Sequence, residues 1–465
     1  QLVGAGGGIG FYKNGSGSIK FTGDSSTTLT GRMNVHGGAV ILAGGNNRLG
    51  ATIDFNFQGD GKLVLGDAAG TSAQTIGLSS ISNASNAIVG GNIANSILTW
   101  NLAAATTFAG KLGGDLLNEN NLSIVKSGAG ILTLSSANTF TGGTTLSAGG
   151  ITLGNVQALG TGSITLTGGT LNVGTFALAN TVVLNGGAIS GTGSIGGLTA
   201  SVGTVTTKLV GSGDITKSGS GVLELQGANG ATEAYTGNVI LSAGTIKFTG
   251  AGSLGAVSSS VAAYNGTITN AGILEFAGTA TQALNGVISG AGSLAVSGAG
   301  QVFLYGNNTY SGGTRVSAGN ATAQSLTSFG SGTVTLSGTG VVDLGGQAVA
   351  NNFVVNGGTL QGGTLSVTKV TGSAGTISAN LNGTGSFTKS GSGTLILGGS
   401  NSYTGGTTVN GGTLLVNGAV GAITVASGGT LGGNGYVGNT SVASGGTIAA
   451  GASVGLLNVG NLTLA

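Results

Sequence analysis

Residues 389–416 read K-S-G-S-G-T-L-I-L-G-G-S-N-S-Y-T-G-G-T-T-V-N-G-G-T-L-L-V, and the pattern within them decides the fold. Short runs such as T-L-I-L and T-L-L-V alternate apolar and polar positions, which indicates β-strands with one buried face. Gly pairs and Asn separate these runs, as is typical of turns. No stretch of the chain has the apolar period of a helix. The sequence therefore predicts many short strands joined by tight turns.

The same pattern recurs along the chain. It begins at Lys126 as K-S-G-A-G-I-L-T-L, at Lys217 as K-S-G-S-G-V-L-E-L, at Lys389, and in a degenerate copy at Val296 as V-S-G-A-G. Successive starts are 91, 79 and 93 residues apart. A unit repeated in this way cannot bury its apolar face alone and must stack on its neighbours. Each copy continues to an aromatic residue before a turn: Phe140, Tyr235, Tyr310 and Tyr403.

Short stacked strands of this kind form a solenoid. With a coil of about 22 residues the chain makes roughly 21 coils, about 100 Å long at the spacing of hydrogen-bonded strands. Inward Leu, Val, Ile and Phe stack, while outward Thr, Ser and Asn pair on the faces. Gly provides positive φ at the corners, and Pro is absent because interior strands must donate every N–H group. We therefore predict an all-β chain folded as a right-handed parallel β-helix, a rod-like β-solenoid.

The composition excludes several other classes of protein. The 465 residues include 101 Gly, no Pro and no Cys, and only 5% are charged, whereas about 25% is usual for globular proteins. A hydrophobic content of 39% argues against disorder, which goes with few apolar residues. No apolar run is long enough for a transmembrane helix. The 13 basic and 11 acidic residues are too scattered for a nucleic-acid surface.

The repeated motifs resemble the passenger-associated transport repeats of autotransporter passenger domains, in which S-G-x-G-T-L-x-L precedes N-x-Y-T-G-G-T-T-V and G-G-T-L-x-V. Residues 389–416 match almost throughout, and the resemblance extends from about residue 120 to the end. It implies a Gram-negative cell-surface or secreted β-helix, often an adhesin or a surface-coat component, and it specifies no ligand. We expect two regions: less regular coils over 1–120, and a β-helix with four repeat units over 121–465.

A catalytic centre is not expected. The single histidine, His36, and the motif Gly23-Asp24-Ser25-Ser26 are the nearest match to the serine-protease passengers, which carry a G-D-S-G-type motif. A triad needs a base that a third group orients, and the Gly-rich first 120 residues are poor material for a protease domain. We interpret His36 as a corner residue of one coil and expect no activity to depend on it or on Ser25.

Other clusters could hold ligands but are interpreted as structural. The Asp period of calcium-binding β-rolls is absent from the sequence, and G-A-G-G-G-I-G at residues 4–10 lacks the strand and helix of a phosphate loop. The acidic clusters are interpreted as solvated loops rather than a carboxylate site. We therefore assign no catalytic, cofactor or metal residues. The acidic clusters are Asp54, Asp60 and Asp67, and Asp115 with Glu119.

The repeated aromatic and basic residues have two interpretations each. The aromatics form either an exposed stripe for glycan stacking or structural stacks at equivalent corners, and we favour structure because buried aromatics dominate packing. Lys126, Lys217 and Lys389 form either a ligand-binding row or solvated markers of one repeated edge, and we favour the markers. With four coils between them, Lys126 and Lys217 are expected on the same edge, about 19 Å apart.

Two functions remain open. The first is a non-catalytic, surface-displayed structural or adhesive rod with an unidentified glycan or protein ligand, and the alternative is a self-associating coat or filament subunit. No charged residue follows Lys389, and an uncharged strand edge such as N-L-T-L-A is open to pairing. We expect end-to-end association at that edge, weakened by Thr463→Lys, with Leu462 and Leu464 pointing inward.

Overall fold

The computed structural model describes residues 11–24, 26, 29, 31–50, 53–81, 87–451 and 455–465. All of the regular secondary structure in these ranges is β-strand. The strands stack in parallel as a β-solenoid of about 22 turns. The predicted parallel β-helix is therefore confirmed. The chain divides into two compact units, residues Gln1–Leu209 and Val210–Ala465, and each is described by itself.

The strands of the first unit are β1 to β22, most of them two to six residues long. In chain order they are Phe11–Lys13, Ser18–Phe21, Arg32–Val35, Ala39–Leu42, Asp54–Phe57, Lys62–Leu65, Ala73–Ile81, Ala87–Gly90, Ser96–Asn101, Thr106–Phe108, Lys111–Leu112, Leu122–Ser127, Ile131–Leu134, Thr144–Leu146, Gly150–Leu153, Ile164–Leu166, Thr170–Asn172, Ala177–Leu178, Val182–Ser190, Ser194–Ile195, Leu198–Val205 and Lys208–Leu209.

The strands of the second unit are β23 to β55. In chain order they are Ile215–Lys217, Val222–Leu225, Val239–Leu241, Thr245–Phe248, Ala256–Ser258, Val261–Tyr264, Ile268–Asn270, Ile273–Phe276, Thr281–Leu284, Ile288–Ser289, Ser293–Val296, Gln301–Leu304, Thr314–Val316, Asn320–Ala323, Val334–Leu336, Val341–Asp343, Ala348–Val349, Phe353–Gln361, Thr364–Ser366, Lys369–Ile377, Asn380–Asn382, Ser386–Lys389, Thr394–Leu397, Thr407–Val409, Gly412–Val416, Ala419–Val420, Ile423–Val425, Gly429–Gly433, Tyr436–Val437, Thr440–Val442, Thr447–Ala450, Asn458–Val459 and Leu462–Leu464.

Alternation along each strand builds the core. In Ile131–Leu134 the side chains of Leu132 and Leu134 are buried, while Thr133 between them is half-buried on the outer face. The next coil pairs in register, so that Ile151 lies over Leu132. Because successive side chains of a strand point to opposite faces, each face of the solenoid carries an inward apolar column and an outward polar column.

Coil length is less uniform than the expected 22 residues. Val182 pairs with Leu198, only 16 residues later, whereas Val239 pairs with Ile268, 29 residues later. The strands keep their pairing while the connections change length, because loops at the corners lie on the surface and tolerate insertions. The expected coil of about 22 residues holds as an average over the about 22 turns, and individual coils depart from it.

A hairpin interrupts the parallel stacking in the second unit. Strands Ala256–Ser258 and Val261–Tyr264 pair antiparallel across Ser259 and Ser260, whose φ values are +48° and +70°. The second strand of the hairpin then pairs in parallel with Thr281–Leu284 of the following coil. The insertion thus begins a new column of strands, and the repeat that follows it lies on a different face.

The shift of face is visible in the inward columns. Lys217 lies in a column of paired residues that continues to Leu241 in the next coil. Lys389 belongs to a different column, which leads back to Leu225 on the strand that follows Lys217 in the sequence. Lys217 and Lys389 therefore lie on different faces, and a single edge marked by all the repeated lysines is wrong. The separation expected for Lys126 and Lys217, which belong to different units, stays a prediction.

Candidate binding surface

The repeated aromatic residues are structural. Phe140 and Tyr310 are fully buried, and Tyr235 and Tyr403 are almost so. The hydroxyl of Tyr310 lies 2.6 Å from Thr314 Oγ1, and Tyr403 makes the same contact with its own Thr four residues later. Burial raises the pKa of Tyr310, and raises that of Tyr403 to about 12. Rings enclosed in this way are not available to stack on a glycan.

The repeated lysines are buried clamps, not solvated markers. Lys126, Lys217 and Lys389 are all 0% exposed. Each Nζ donates to the carbonyls of the next two residues and of one residue in the following coil, at 2.8, 3.0 and 2.9 Å for Lys389. Burial lowers the pKa of all three ammonium groups. The interpretation of these lysines as solvated residues is wrong. They can be buried because three convergent carbonyls replace the water that a buried charge loses.

A further copy of this clamp lies where the sequence pattern looked loose. Lys13 is 4% exposed, and its Nζ donates to the carbonyls of Asn14, Gly15 and Gly37 at 3.0, 2.7 and 2.9 Å. The signal was present as K-N-G-S-G, which shares K-x-G-x-G with the later repeats. In the degenerate copy Val296 is buried at the equivalent position, so an apolar side chain also fits there.

In three repeats an Asn lies two residues before the aromatic residue. This Asn was not singled out from the sequence, yet its side chain joins three coils. Asn308 Oδ1 accepts from Ile288 N at 2.8 Å, and its Nδ2 donates to Ser328 O at 2.7 Å. Asn138 and Asn401 bridge the preceding and following coils in the same way. The recurrence of Asn two residues before the ring in these copies was the signal that could have found it.

The residues considered for proteolysis are not brought into a triad by the described part of the chain. His36 lies beside Tyr12, with ring centroids 5.8 Å apart, and its Nε2 is buried without a hydrogen-bond partner among the described residues. Asp24 Oδ1 accepts from Ser26 N at 2.9 Å, a local turn contact. Ser25 and the glycine motif at residues 4–10 lie outside the described residues.

Three of the five residues in the two acidic clusters are paired rather than solvated. Asp54 Oδ2 lies 3.0 Å from Arg32 Nε, and Asp67 pairs with Lys20. Glu119 is 8% exposed and accepts from Lys62 Nζ at 2.6 Å. The solvated-loop interpretation is wrong for these three because lysine and arginine from other coils reach them. The other two members of the clusters, Asp60 and Asp115, are exposed. Within the described residues no group of three or more acidic or histidine side chains could hold a metal ion.

The outward residues of paired strands form continuous columns in the second unit. One column begins with charged residues, where Lys247 Nζ lies 3.4 Å from Glu275 Oε1 on the next strand. It passes through Arg315 and ends in six consecutive hydroxyl residues, here named the hydroxyl column. The hydroxyl column consists of Thr371, Thr388, Thr408, Thr424, Ser441 and Thr463.

The hydroxyl column carries no charge. Its members are half-buried or exposed and carry hydroxyl groups at the strand spacing of about 4.8 Å. A hydroxyl can both donate and accept, so a row of them offers hydrogen bonds to many partners without a net charge. Such a surface fits extended contact with another polar surface.

Comparison with known proteins agrees with the repeat structure. A family described as passenger-associated-transport-repeat matches residues 124–153, 215–247, 294–320 and 387–416, including the degenerate copy. Over 120 residues the chain is 36% identical to the Adhesin BmaC autotransporter of Brucella suis biovar 1 (strain 1330). The aligned part is 24% of this chain and 4% of that protein, so only a small fraction of the relative is represented. No solved structure matches significantly.

The described part of the chain is a β-solenoid whose four repeats are similar to the passenger-associated-transport-repeat. The chain carries the passenger-associated-transport-repeat four times, and each match begins two residues before the lysine, or the valine in its place, that opens the repeat. Among the described residues there is no helix with the length and apolarity needed to span a bilayer.

Proposed function

We propose that this chain is a non-catalytic, adhesive passenger displayed at the cell surface or released from it. The repeats and the match to a protein named as an autotransporter adhesin support an extracellular setting. Buried lysine clamps and asparagine bridges account for the recurrent polar residues of the repeat as architecture, which leaves the outward columns for contact with a partner. The division into less regular coils over 1–120 and repeat coils over 121–465 remains part of this proposal.

The hydroxyl column is the observation on which the adhesive role depends. Rim charges mainly change association rates and partner choice, and this column has none, so affinity must come from many hydrogen bonds over an extended area. A row of weak, equivalent contacts gains strength from multivalency. We infer that the column binds a broad polar surface on the target rather than a small molecule in a pocket.

Adhesion is tested with purified protein on cultured epithelial cells and on immobilised matrix proteins. A variant with Thr388→Lys and Thr408→Lys places two charges on the hydroxyl column and is expected to lower the bound amount about tenfold or more. The matched control carries Thr413→Lys and Thr430→Lys, two half-buried Thr that are paired in the same way on another face. The control is expected to bind like the parent.

Failure of the parent to bind any of these surfaces would overturn the adhesive role. Equal losses in the two double variants would show that the hydroxyl column is not the contact. Sedimentation of the same samples at two concentrations reports on the alternative function, because a coat or filament subunit associates as concentration rises.

A further inference from the structure

One surface of the first unit differs in chemistry from the hydroxyl and β-branched columns elsewhere. Strands Phe11–Lys13, Arg32–Val35 and Asp54–Phe57 pair in parallel and in register. Their outward residues form a contiguous group, here named the N-terminal patch. The N-terminal patch consists of Tyr12, Arg32, Asn34, Asp54 and Asn56, with His36 directly after the middle strand.

The patch presents a ring beside planar polar groups. Tyr12 is 61% exposed, which leaves its face open to a ligand, and the His36 ring supports it from the side. Behind it, Asn34 is buried at 5% exposure, and its Oδ1 accepts from Asn56 Nδ2 at 2.7 Å. This bond orients the amide of Asn56, which is half-buried and faces outward.

The charges of the patch compensate each other. Arg32 Nε lies 3.0 Å from Asp54 Oδ2, with the arginine side chain 54% exposed and the aspartate 22%. The patch therefore offers guanidinium donors and carboxylate acceptors without net charge. A polyanion has no complementary field here, and a protein partner would need a larger apolar centre than one ring.

Two polar atoms in the patch have unused hydrogen-bonding capacity. His36 Nε2 and Asp54 Oδ1 are buried and have no hydrogen-bond partner among the described residues. Buried polar atoms are usually satisfied by protein or by ordered water. Both atoms are enclosed by protein, so a ligand would contact the exposed donors and acceptors around them.

We propose that the N-terminal patch binds a neutral saccharide. An aromatic ring covers the apolar C–H face of a sugar, while amide, guanidinium and carboxylate groups bond its hydroxyls, and a neutral sugar matches the compensated charge. Tyr12 provides the stacking surface. Arg32 and Asn56 make the polar contacts, and Asn34 positions Asn56. The inference rests on the proposed adhesive function and names one ligand class for it.

The test uses the full chain on an array of neutral oligosaccharides of glucose, galactose, mannose and N-acetylglucosamine, with sialylated and sulfated oligosaccharides alongside. The strongest neutral ligand is then titrated against variants. Tyr12→Ala is expected to weaken its affinity about tenfold or more, and Tyr12→Phe by no more than about threefold, because the ring remains. Tyr436→Ala is the matched control, since Tyr436 is 53% exposed on a strand of the second unit, and it should bind like the parent.

Each other outcome would overturn the inference. Binding of no oligosaccharide, or a preference for the acidic ones, excludes a neutral saccharide at this patch. Equal affinity of Tyr12→Ala and the parent, with matching circular dichroism spectra, places the ligand elsewhere. If the parent still adheres to cells in any of these cases, the proposed function stands while the saccharide site fails.

Discussion

Gly412 shows how little space a coil corner leaves for a side chain. Its φ is +62°, and a Cβ there would lie 2.4 Å from Gly391 O, 2.5 Å from Gly393 O and 2.7 Å from Lys389 Nζ. The two glycines of the K-S-G-S-G turn, Gly391 and Gly393, and Gly412 in the next coil thus form one tightly packed corner.

Gly412→Ala is expected to lower the free energy of unfolding by about 2–4 kcal/mol, because the backbone strain is joined by a clash with two carbonyls and the lysine clamp. Gly428→Ala is the control. Its φ is +81° and nothing lies within 4 Å of its Cβ position, so only the left-handed conformation costs energy, about 1–2 kcal/mol. Urea unfolding measures both, and equal losses would show that the close approach has no energetic consequence.

Tyr403 makes the stability depend on pH above 10. Its pKa is raised to about 12 by burial, while a phenol in the unfolded chain titrates near 10. Above pH 10 the unfolded chain releases a proton that the folded chain retains, so stability that is complete below pH 10 is lost as pH rises.

Tyr403→Phe cannot ionise and should escape this loss. Between pH 9 and pH 11 the free energy of unfolding of the variant is expected to improve relative to the parent by about 1 kcal/mol. Phe140 occupies the equivalent position of another repeat, so the substitution should preserve the packing. Urea unfolding at the two pH values gives the comparison, and an unchanged difference between parent and variant would contradict the assignment.

At the scale of the element, the bridging asparagine links each turn to the coils on either side. Asn308 is 3% exposed and bonds Ile288 N and Ser328 O. In the second repeat Asn229 donates to Gly255 O, although G-A-T-E-A separates it from Tyr235. The contact with the following coil therefore persists despite an insertion that changes the spacing to the ring.

Asn308→Ala is expected to lower the free energy of unfolding by about 2–4 kcal/mol, because a buried N–H and a buried carbonyl lose their partners together. Its neighbour Asn307 is exposed, and Asn307→Ala should change stability by less than about 0.5 kcal/mol. Thermal or urea unfolding distinguishes them. Similar losses at the two positions would argue that the turn itself, and not the bridge, is stabilising.

At the scale of the whole molecule, each coil depends chiefly on its neighbours. Strands pair with those directly before and after them in the stack, and stability of such an array is approximately a sum of unit and nearest-neighbour terms. Local changes should therefore stay local.

Hydrogen exchange followed by mass spectrometry can test this property on Asn308→Ala. Faster exchange is expected in peptides covering residues 281–336, which contain the bridged coils, while peptides covering residues 131–200 of the first unit should exchange as in the parent. Uniformly faster exchange across both regions would show instead that the chain opens as one cooperative body.

The sequence by itself determined the strands, their stacking and the four repeats. Alternation at period two specifies which side chains face inward, and Gly at fixed places specifies the turns, so local patterns such as those at Lys126 and Lys389 are sufficient to predict a parallel β-helix. The buried aromatics followed from the same reasoning.

Only the tertiary structure decided what the polar residues do. Whether Lys389 is solvated or buried depends on three carbonyls, one of them from the next coil, and whether Glu119 is solvated depends on Lys62, 57 residues away. Likewise, the hairpin beginning at Ala256 moves later repeats to another face, although Lys389 opens the same K-S-G-S-G motif as Lys217. Charge burial and face are set by contacts between coils, which a periodic pattern along one strand does not encode.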